Sequence, residues 1–235
     1  MGITTIAGTI YGYAAGESIT YTTARNTSTK SSTTTVDFGQ ARPLGYYVSR
    51  AYISFDTSGI AGTIEKVRLG WKGIEDNVVI DFTGIVKKYN WAGLTFGSNR
   101  EAMYDGALAA TSETNNMGLM KRCSSPTTIY YSGDLDTSWI SRAGTTYYAL
   151  VSLEDVNNSA PTKNEYFIIT NVYLEVTAQD SMSSPSSNGY SSGPMMFKPP
   201  TDLLKVLKKP VFTQIASPRK VCQGIIPRSV CADGC

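Results

Sequence analysis

The sequence contains no histidine, and only 17% of its residues are charged. Histidine is the commonest general base, the usual pH switch near neutrality and a frequent ligand of zinc and copper. Its absence excludes Ser-His-Asp and Cys-His mechanisms, because both need an imidazole to accept the proton of the nucleophile. Any catalysis would have to rest on carboxylates.

Two pairs of carboxylates are close together in the chain, Asp134 with Asp136 and Glu154 with Asp155. A glycosidase needs two carboxylates that face each other across a cleft at about 5 to 9.5 Å, and the spacing of these pairs does not predict such a cleft. Neighbouring acidic residues at the end of a strand are more often solvated loop residues. We therefore predict that the protein is not an enzyme.

Candidate metal ligands are also few. Three of the four cysteines, Cys222, Cys231 and Cys235, lie near the end of the chain, and a structural zinc site needs four ligands. Two interpretations remain: the cysteines are reduced thiols, or Cys222 and Cys231 form a disulfide in an oxidising environment. Residues 154–158 (Glu-Asp-Val-Asn-Asn) offer oxygen donors for calcium, but an ordinary turn has the same composition. We predict no metal and no other cofactor.

No hydrophobic run approaches the ~20 apolar residues that are needed to cross a bilayer. The segment Met1–Ile6 also lacks the basic stretch and apolar run of a secretory signal peptide. We therefore expect the chain to fold in the cytosol and to have no membrane partner.

The sequence is instead rich in threonine, serine, glycine and tyrosine, which favour strands and turns over helices. Residues 49–56 and 64–71 alternate apolar and polar side chains on either side of an Asp/Ser/Gly turn, which is typical of half-buried antiparallel strands. The positions predicted to face a core are Ala51, Ile53, Phe55, Val67, Leu69 and Trp71, and those predicted to face out are Arg50, Ser54, Lys66 and Arg68. The pattern predicts an all-β protein, an antiparallel β-sandwich or jelly roll.

The stretch from Arg50 to Ile60 resembles the signature of DNRLRE-type β-sandwich modules: arginine, an aromatic and an aliphatic residue, then Phe-Asp-x-Ser-x-Ile. Three further parts of the chain are similar to that family in the same order: residues 21–26 with Phe38-Gly39-Gln40, then residues 147–155, then residues 172–176. The resemblance spans roughly residues 9 to 177. It implies a jelly roll of a kind found in surface, secreted and phage-encoded proteins, often as a binding or adhesive unit.

The composition changes after the last predicted strand. Residues 1–177 form the predicted sandwich, and residues 178–194 form a linker rich in serine, glycine and proline. Residues 195–235 form an arm with seven basic and two acidic side chains, a net charge of +5, whereas residues 1–194 have fourteen basic and seventeen acidic side chains, a net charge of −3. The chain therefore combines an acidic body with a basic arm.

Within the arm, Thr201 can cap a short helix that runs to about Lys209, between Pro199-Pro200 and Pro210. Such a short helix does not persist alone in water, so its leucines need a partner surface, either the sandwich itself or another subunit. We predict that the partner-binding residues are Leu203, Leu204, Leu207, Lys205, Lys208, Lys209, Val211 and Phe212. The basic residues are not interleaved with stacking aromatics, so we predict no nucleic-acid partner.

Tyrosines of the N-terminal region offer a second candidate site. Their rings could stack on the apolar faces of sugars, although tyrosine is also an ordinary strand residue, and both interpretations remain open. The candidate glycan-binding residues are Tyr11, Tyr13, Tyr21 and Tyr46.

Together these features predict a structural virion protein of a tailed bacteriophage, assembled in the host cytoplasm. It would be a capsid decoration, head-fibre or tail-associated subunit, present in multiple copies or as a homo-oligomer, that binds other virion proteins through its arm. The alternative prediction is a carbohydrate-binding or host-adhesion module of a surface or secreted protein.

Overall fold

The computed structural model describes residues 2–42, 44–76, 82–120 and 127–179, with backbone alone at residues 74–76 and 170. Most of these residues lie in antiparallel strands, and the helices are few and short, which confirms the predicted all-β sandwich class. The strands are β1 (Gly2–Ala7), β2 (Ile10–Ser18), β3 (Lys30–Ser32), β4 (Val36–Ala41), β5 (Tyr46–Asp56), β6 (Thr63–Asp76), β7 (Phe82–Lys88), β8 (Thr111–Ser112), β9 (Gly118–Met120), β10 (Tyr130–Tyr131), β11 (Thr145–Ser152) and β12 (Glu165–Gln179). The helices are α1 (Tyr21–Asn26), α2 (Arg100–Ala109), α3 (Leu153–Val156) and a 3-10 turn, Thr137–Trp139.

The strands form two layers. One layer has the order β3-β2-β5-β11-β7, with β8 and β9 both paired to β7, and the other has the order β10-β6-β12-β1. Strand β4 belongs to both layers, because Gly39–Ala41 pair with β5 and Val36–Gln40 pair with β12. The sandwich is therefore joined across its layers by one hydrogen-bonded strand.

The main core lies between the two layers. Its side chains include all six that the alternating pattern predicts to face inward, which confirms that part of the prediction: Ala51, Ile53, Phe55, Val67, Leu69 and Trp71. Phe38 packs edge-on against Phe82 and Phe167, with ring centroids 5.6 and 6.4 Å apart. Each such buried side chain contributes roughly 1.5–3 kcal/mol of transfer free energy.

A second core covers the outer face of the β2-β5-β11-β7 layer. Helices α1 and α2 and the loop after β7 pack there, and the Tyr52 ring contacts the rings of Trp91 and Phe96. The prediction that the polar residues of β5 face solvent is wrong. Arg50 and Ser54 alternate with the inward residues as expected, but both are fully buried and do not face solvent. Arg50 lies beneath α1 and α2, and Ser54 bonds to the backbone of Ile10 in β2.

A 3-10 turn at residues 137–139 packs against the main core. The Asp136 carboxylate accepts a hydrogen bond from the Ser138 amide at its start, and the half-buried Trp139 packs on the main core. The indole Nε1 of Trp139 donates to the carbonyl of Tyr147 at 2.8 Å. The turn is therefore fixed to both the main core and β11.

Strand β12 runs to Gln179, two residues into the predicted linker. The rest of that linker and the arm with its short helix lie outside the described residues. Among the helices of the described residues, none is both long enough and apolar enough to span a membrane.

Candidate binding surface and the buried motif residues

Arg50, the arginine of the sequence signature, lies between the β5 layer and the helices with none of its surface exposed. Its Nε and Nη2 donate to the two carboxylate oxygens of Asp155 at 2.7 and 3.0 Å. Its Nη1 donates to the carbonyl of Tyr104 at 2.8 Å, and its Nη2 also donates to the carbonyl of Arg25 at 3.0 Å. The guanidinium lies 3.7 Å from the centroid of the Tyr104 ring. Arg50 therefore stabilises the interior and is not available to a ligand.

The charge of Arg50 is maintained by its partner. Burial alone would lower the pKa of Arg50, but the charge and hydrogen bonds of Asp155, together with Tyr104 and Tyr52, outweigh burial, so the net effect raises that pKa. The two groups form a bidentate ion pair, which is the strong geometry for arginine and carboxylate. Breaking such a buried pair leaves a charge without compensation.

Asp155 is held in place by residues from the other motif segments. Arg25 of α1 donates to the Asp155 carbonyl at 2.8 and 3.1 Å, and its Nε lies 3.2 Å from the Asp155 carboxylate. Ser152 caps α3 by accepting a hydrogen bond from the Asp155 amide at 3.1 Å. In the orientation that satisfies both ends of its amide, Gln40 accepts from the Asp155 amide at 2.7 Å and donates to the Ser159 carbonyl at 3.1 Å.

Three of the four parts of the chain that carry the resemblance thus meet at one buried cluster. They supply Arg25, Gln40, Arg50 and Asp155, which are separated by up to 130 positions in the chain. The alternating pattern missed this cluster because it assigned Arg50 to solvent. The signal that could have revealed it is that Arg50 is the only basic residue of β5.

The expectation that Glu154 and Asp155 are solvated loop residues is wrong for Asp155, which is 1% exposed. Its carboxylate oxygens bind arginine, so they are not free to form the calcium site considered from the sequence. Within the described ranges, no group of three or more cysteine, aspartate or glutamate side chains is placed to hold a metal ion.

Asp134 and Asp136 each have a basic partner. Asp134 lies 2.9 Å from the ammonium of Lys66. Asp136 pairs with Lys88, and hydrogen bonds from Lys88 and then from Ser138 lower the pKa of Asp136 to about 2. Both carboxylates are therefore engaged in ion pairs that tie surface strands and turns together.

A different carboxylate pair, which the sequence interpretation missed, lies where β12 begins beside α3. Burial, and then the negative charge of Glu154, raise the pKa of Glu165 to about 7. Burial also raises the pKa of Glu154. The Oε2 atom of each is buried and has no hydrogen-bond partner within the described residues. Glu165 therefore holds its proton to near-neutral pH, which avoids two adjacent buried negative charges.

The four candidate glycan-binding tyrosines do not form one surface. Tyr11 packs on the main core, and Tyr13 shares its side of β2 because side chains two residues apart point the same way. Tyr21 and Tyr46 pack instead on the helix-covered core, with ring centroids 5.7 Å apart. The structure thus divides the candidates into two pairs on opposite faces of one layer.

A surface groove of about 320 Å³ opens beside Tyr46, where the end of β2 meets the turn between β4 and β5. Two aliphatic side chains at this groove project into solvent: Ile19 is 86% exposed and Leu44 is fully exposed. The guanidinium of Arg42 lies 5.1 Å from the centroid of the Tyr46 ring. The residues that line the groove are Glu17, Ser18, Ile19, Leu44, Gly45, Tyr46 and Tyr47. Apolar and aromatic groups beside a carboxylate suit the contact of a sugar ring or an apolar side chain.

The predicted partner-binding residues of the arm, from Leu203 to Phe212, lie outside the described residues, so their role stays a prediction.

The fold and its interior define an antiparallel β-sandwich with one helix-covered face and a buried arginine–aspartate cluster. No protein-family model matches the sequence, and no curated protein matches it. The resemblance to DNRLRE-type modules stays a prediction that rests on the motif residues.

Proposed function

We propose that this protein is a structural subunit of a tailed-bacteriophage particle, a decoration, head-fibre or tail-associated protein that acts by binding. The observation that carries the proposal is the division of the chain into an acidic sandwich and a basic, leucine-containing arm. The arm has too few apolar residues for a core of its own, so its leucines need a docking surface on other virion proteins. Its net charge of +5 favours an acidic docking surface.

The interior of the sandwich supports a binding role. The carboxylates that the sequence offered as catalytic candidates include Asp155, which neutralises a buried arginine, and Asp136, which caps a turn and pairs with lysine. These groups stabilise the fold. A rigid sandwich of this kind suits a subunit that projects from a particle while its arm anchors it.

Truncation of the arm tests the proposal. Particles are purified by gradient centrifugation from infections in which the chain is full-length or ends at residue 194, and the protein is quantified by mass spectrometry. We expect the full-length chain in the particles and the truncated chain, folded by circular dichroism, only in the soluble fraction. Full occupancy of the truncated chain on particles would refute the anchor.

Matched charge variants sharpen this test. Replacing Lys205, Lys208 and Lys209 by glutamine removes three positive charges at the predicted contact. Replacing Arg219, Lys220 and Arg228 by glutamine removes the same charge elsewhere in the arm. We expect only the first variant to lose occupancy, and equal losses would contradict the assignment of the contact residues.

A carbohydrate-binding role is the second candidate, and the groove beside Tyr46 is the observation that favours it. On a glycan array, Tyr46→Ala should weaken binding about tenfold through loss of ring stacking. Tyr131→Ala, which removes an exposed ring of the other layer, is the control. Absence of any reproducible glycan signal from the unaltered chain would remove this candidate.

A further inference from the structure

Strand β1 differs from the other strands at the edges of the two layers. The edge strands β3, β8, β9 and β10 have only two or three residues each. Strand β1 has six, and it pairs with β12 in an unbroken register from Gly2↔Ala178 to Ala7↔Tyr173. Its other side pairs with no strand of the described residues. Among the described residues, a long, regular row of backbone donors and acceptors is therefore left open.

The open edge of β1 also lacks the features that protect exposed edges. Natural proteins block such edges with charged side chains, proline, bulges or very short strands, because a free edge is a template for pairing with another chain. The sequence Gly-Ile-Thr-Thr-Ile-Ala has no charge and no proline, and its register has no bulge. Every residue of β1 except Ile6 is exposed, and Ile3 is 70% exposed.

The geometry points to antiparallel pairing of β1 with β1 of a second copy of this chain, which would extend the β6-β12-β1 layer into the partner. The twofold axis of such a pair is perpendicular to the sheet. Residues on the outer face of one copy therefore lie beside residues on the outer face of the second copy. Thr5 of one copy then lies opposite either Thr5 or Ile3 of the second copy. Self-pairing brings identical charges together, which destabilises a pair, and β1 carries no charge that could oppose it.

The size of the contact determines its strength. Pairing of two six-residue strands buries less than the roughly 1,000 Å² of a stable interface. We therefore expect a weak dimer that depends on concentration and becomes significant where copies are held close together. The inference goes beyond the proposed function and does not use the arm.

Sedimentation velocity of the full-length chain, from micromolar to millimolar concentration, tests the pairing. Thr5→Lys adds a charge on the open edge and should raise the dimer dissociation constant at least about fivefold. Thr63→Lys makes the same change at an exposed position of β6, on the far side of β12 from β1, and should leave the constant unchanged. Thr5→Val should tighten the dimer about twofold, because a β-branched apolar pair is favourable across strands.

Hydrogen exchange gives the second measurement. We expect the amides of Ile3, Thr5 and Ala7, which alternate with those bonded to β12, to become more protected as the concentration of the unaltered chain rises, and not in Thr5→Lys. A chain that stays monomeric at millimolar concentration would overturn the inference. Association that persists unchanged in Thr5→Lys would overturn it as well, while leaving the arm as the contact and the proposed function intact.

Discussion

Replacing Asp155 with alanine should lower the free energy of unfolding by about 3–5 kcal/mol, the range for removal of one partner from a buried ion pair. The cost comes from Arg50, which has no exposed surface and would keep its charge without a counterion. The variant also removes the carboxylate contact with Arg25. Urea denaturation followed by tryptophan fluorescence measures the change.

Two comparisons make this prediction specific. Asp134→Ala removes a surface ion pair with Lys66 and should cost less than about 1 kcal/mol. The double variant Arg50→Met/Asp155→Leu removes both charges and should be more stable than Asp155→Ala alone, because well-packed apolar residues can replace a buried ion pair. If the free energy of unfolding of Asp155→Ala lay within about 1 kcal/mol of that of the unaltered chain, the cluster would not be a main support of the fold.

Gly39→Ala is expected to destabilise the protein by on the order of 3 kcal/mol or more. Gly39 lies in β4, where the strand passes from one layer to the other, with a φ of +117° that side chains other than hydrogen rarely allow. A Cβ atom there would collide with the carbonyl oxygen of Glu165 and lie 2.9 Å from the Cα atom of Tyr166. Both contacts are to backbone, so no side chain can move to relieve them.

Two other glycines separate the causes of this effect. Gly59 has open space around it, so Gly59→Ala should change stability by less than about 1 kcal/mol. Gly118 has a φ of +73°, but a Cβ atom added there would meet no neighbour within 4 Å, so Gly118→Ala isolates the backbone strain, about 1–2 kcal/mol. In thermal unfolding, the melting temperature should therefore fall most for Gly39→Ala and least for Gly59→Ala. A Gly39→Ala protein as stable as Gly59→Ala would contradict the close packing of β4 on β12.

The strands of the main core could be predicted from sequence because their two faces differ in polarity. In β5 and β6 the apolar residues recur at every second position, and this period alone identifies Ile53 and Leu69 as interior. The turn at Trp139 was predictable because Asp136 precedes it and can cap it. Such local signals depend only on neighbours in the chain.

The second core could not be predicted in the same way. Whether the outer face of β5 meets water or helices depends on where α1 and α2 pack, and no local pattern in β5 encodes that. Arg50 was therefore assigned to solvent, because its partner Asp155 lies 105 positions away in the chain and no local pattern reveals it. The division of the four tyrosines between two faces has a similar cause, since it depends on how β2 and β5 pair.

The strand shared between the two layers has a mechanical consequence. Because β4 is hydrogen-bonded to both β5 and β12, the layers cannot slide or peel apart unless one of those two ladders breaks along its length. A pulling force applied at the C-terminal end of β12 is thus transmitted through β4 to the opposite layer and distributed over several strands. A domain that must stay intact while tethered from one end gains resistance to shear from this arrangement.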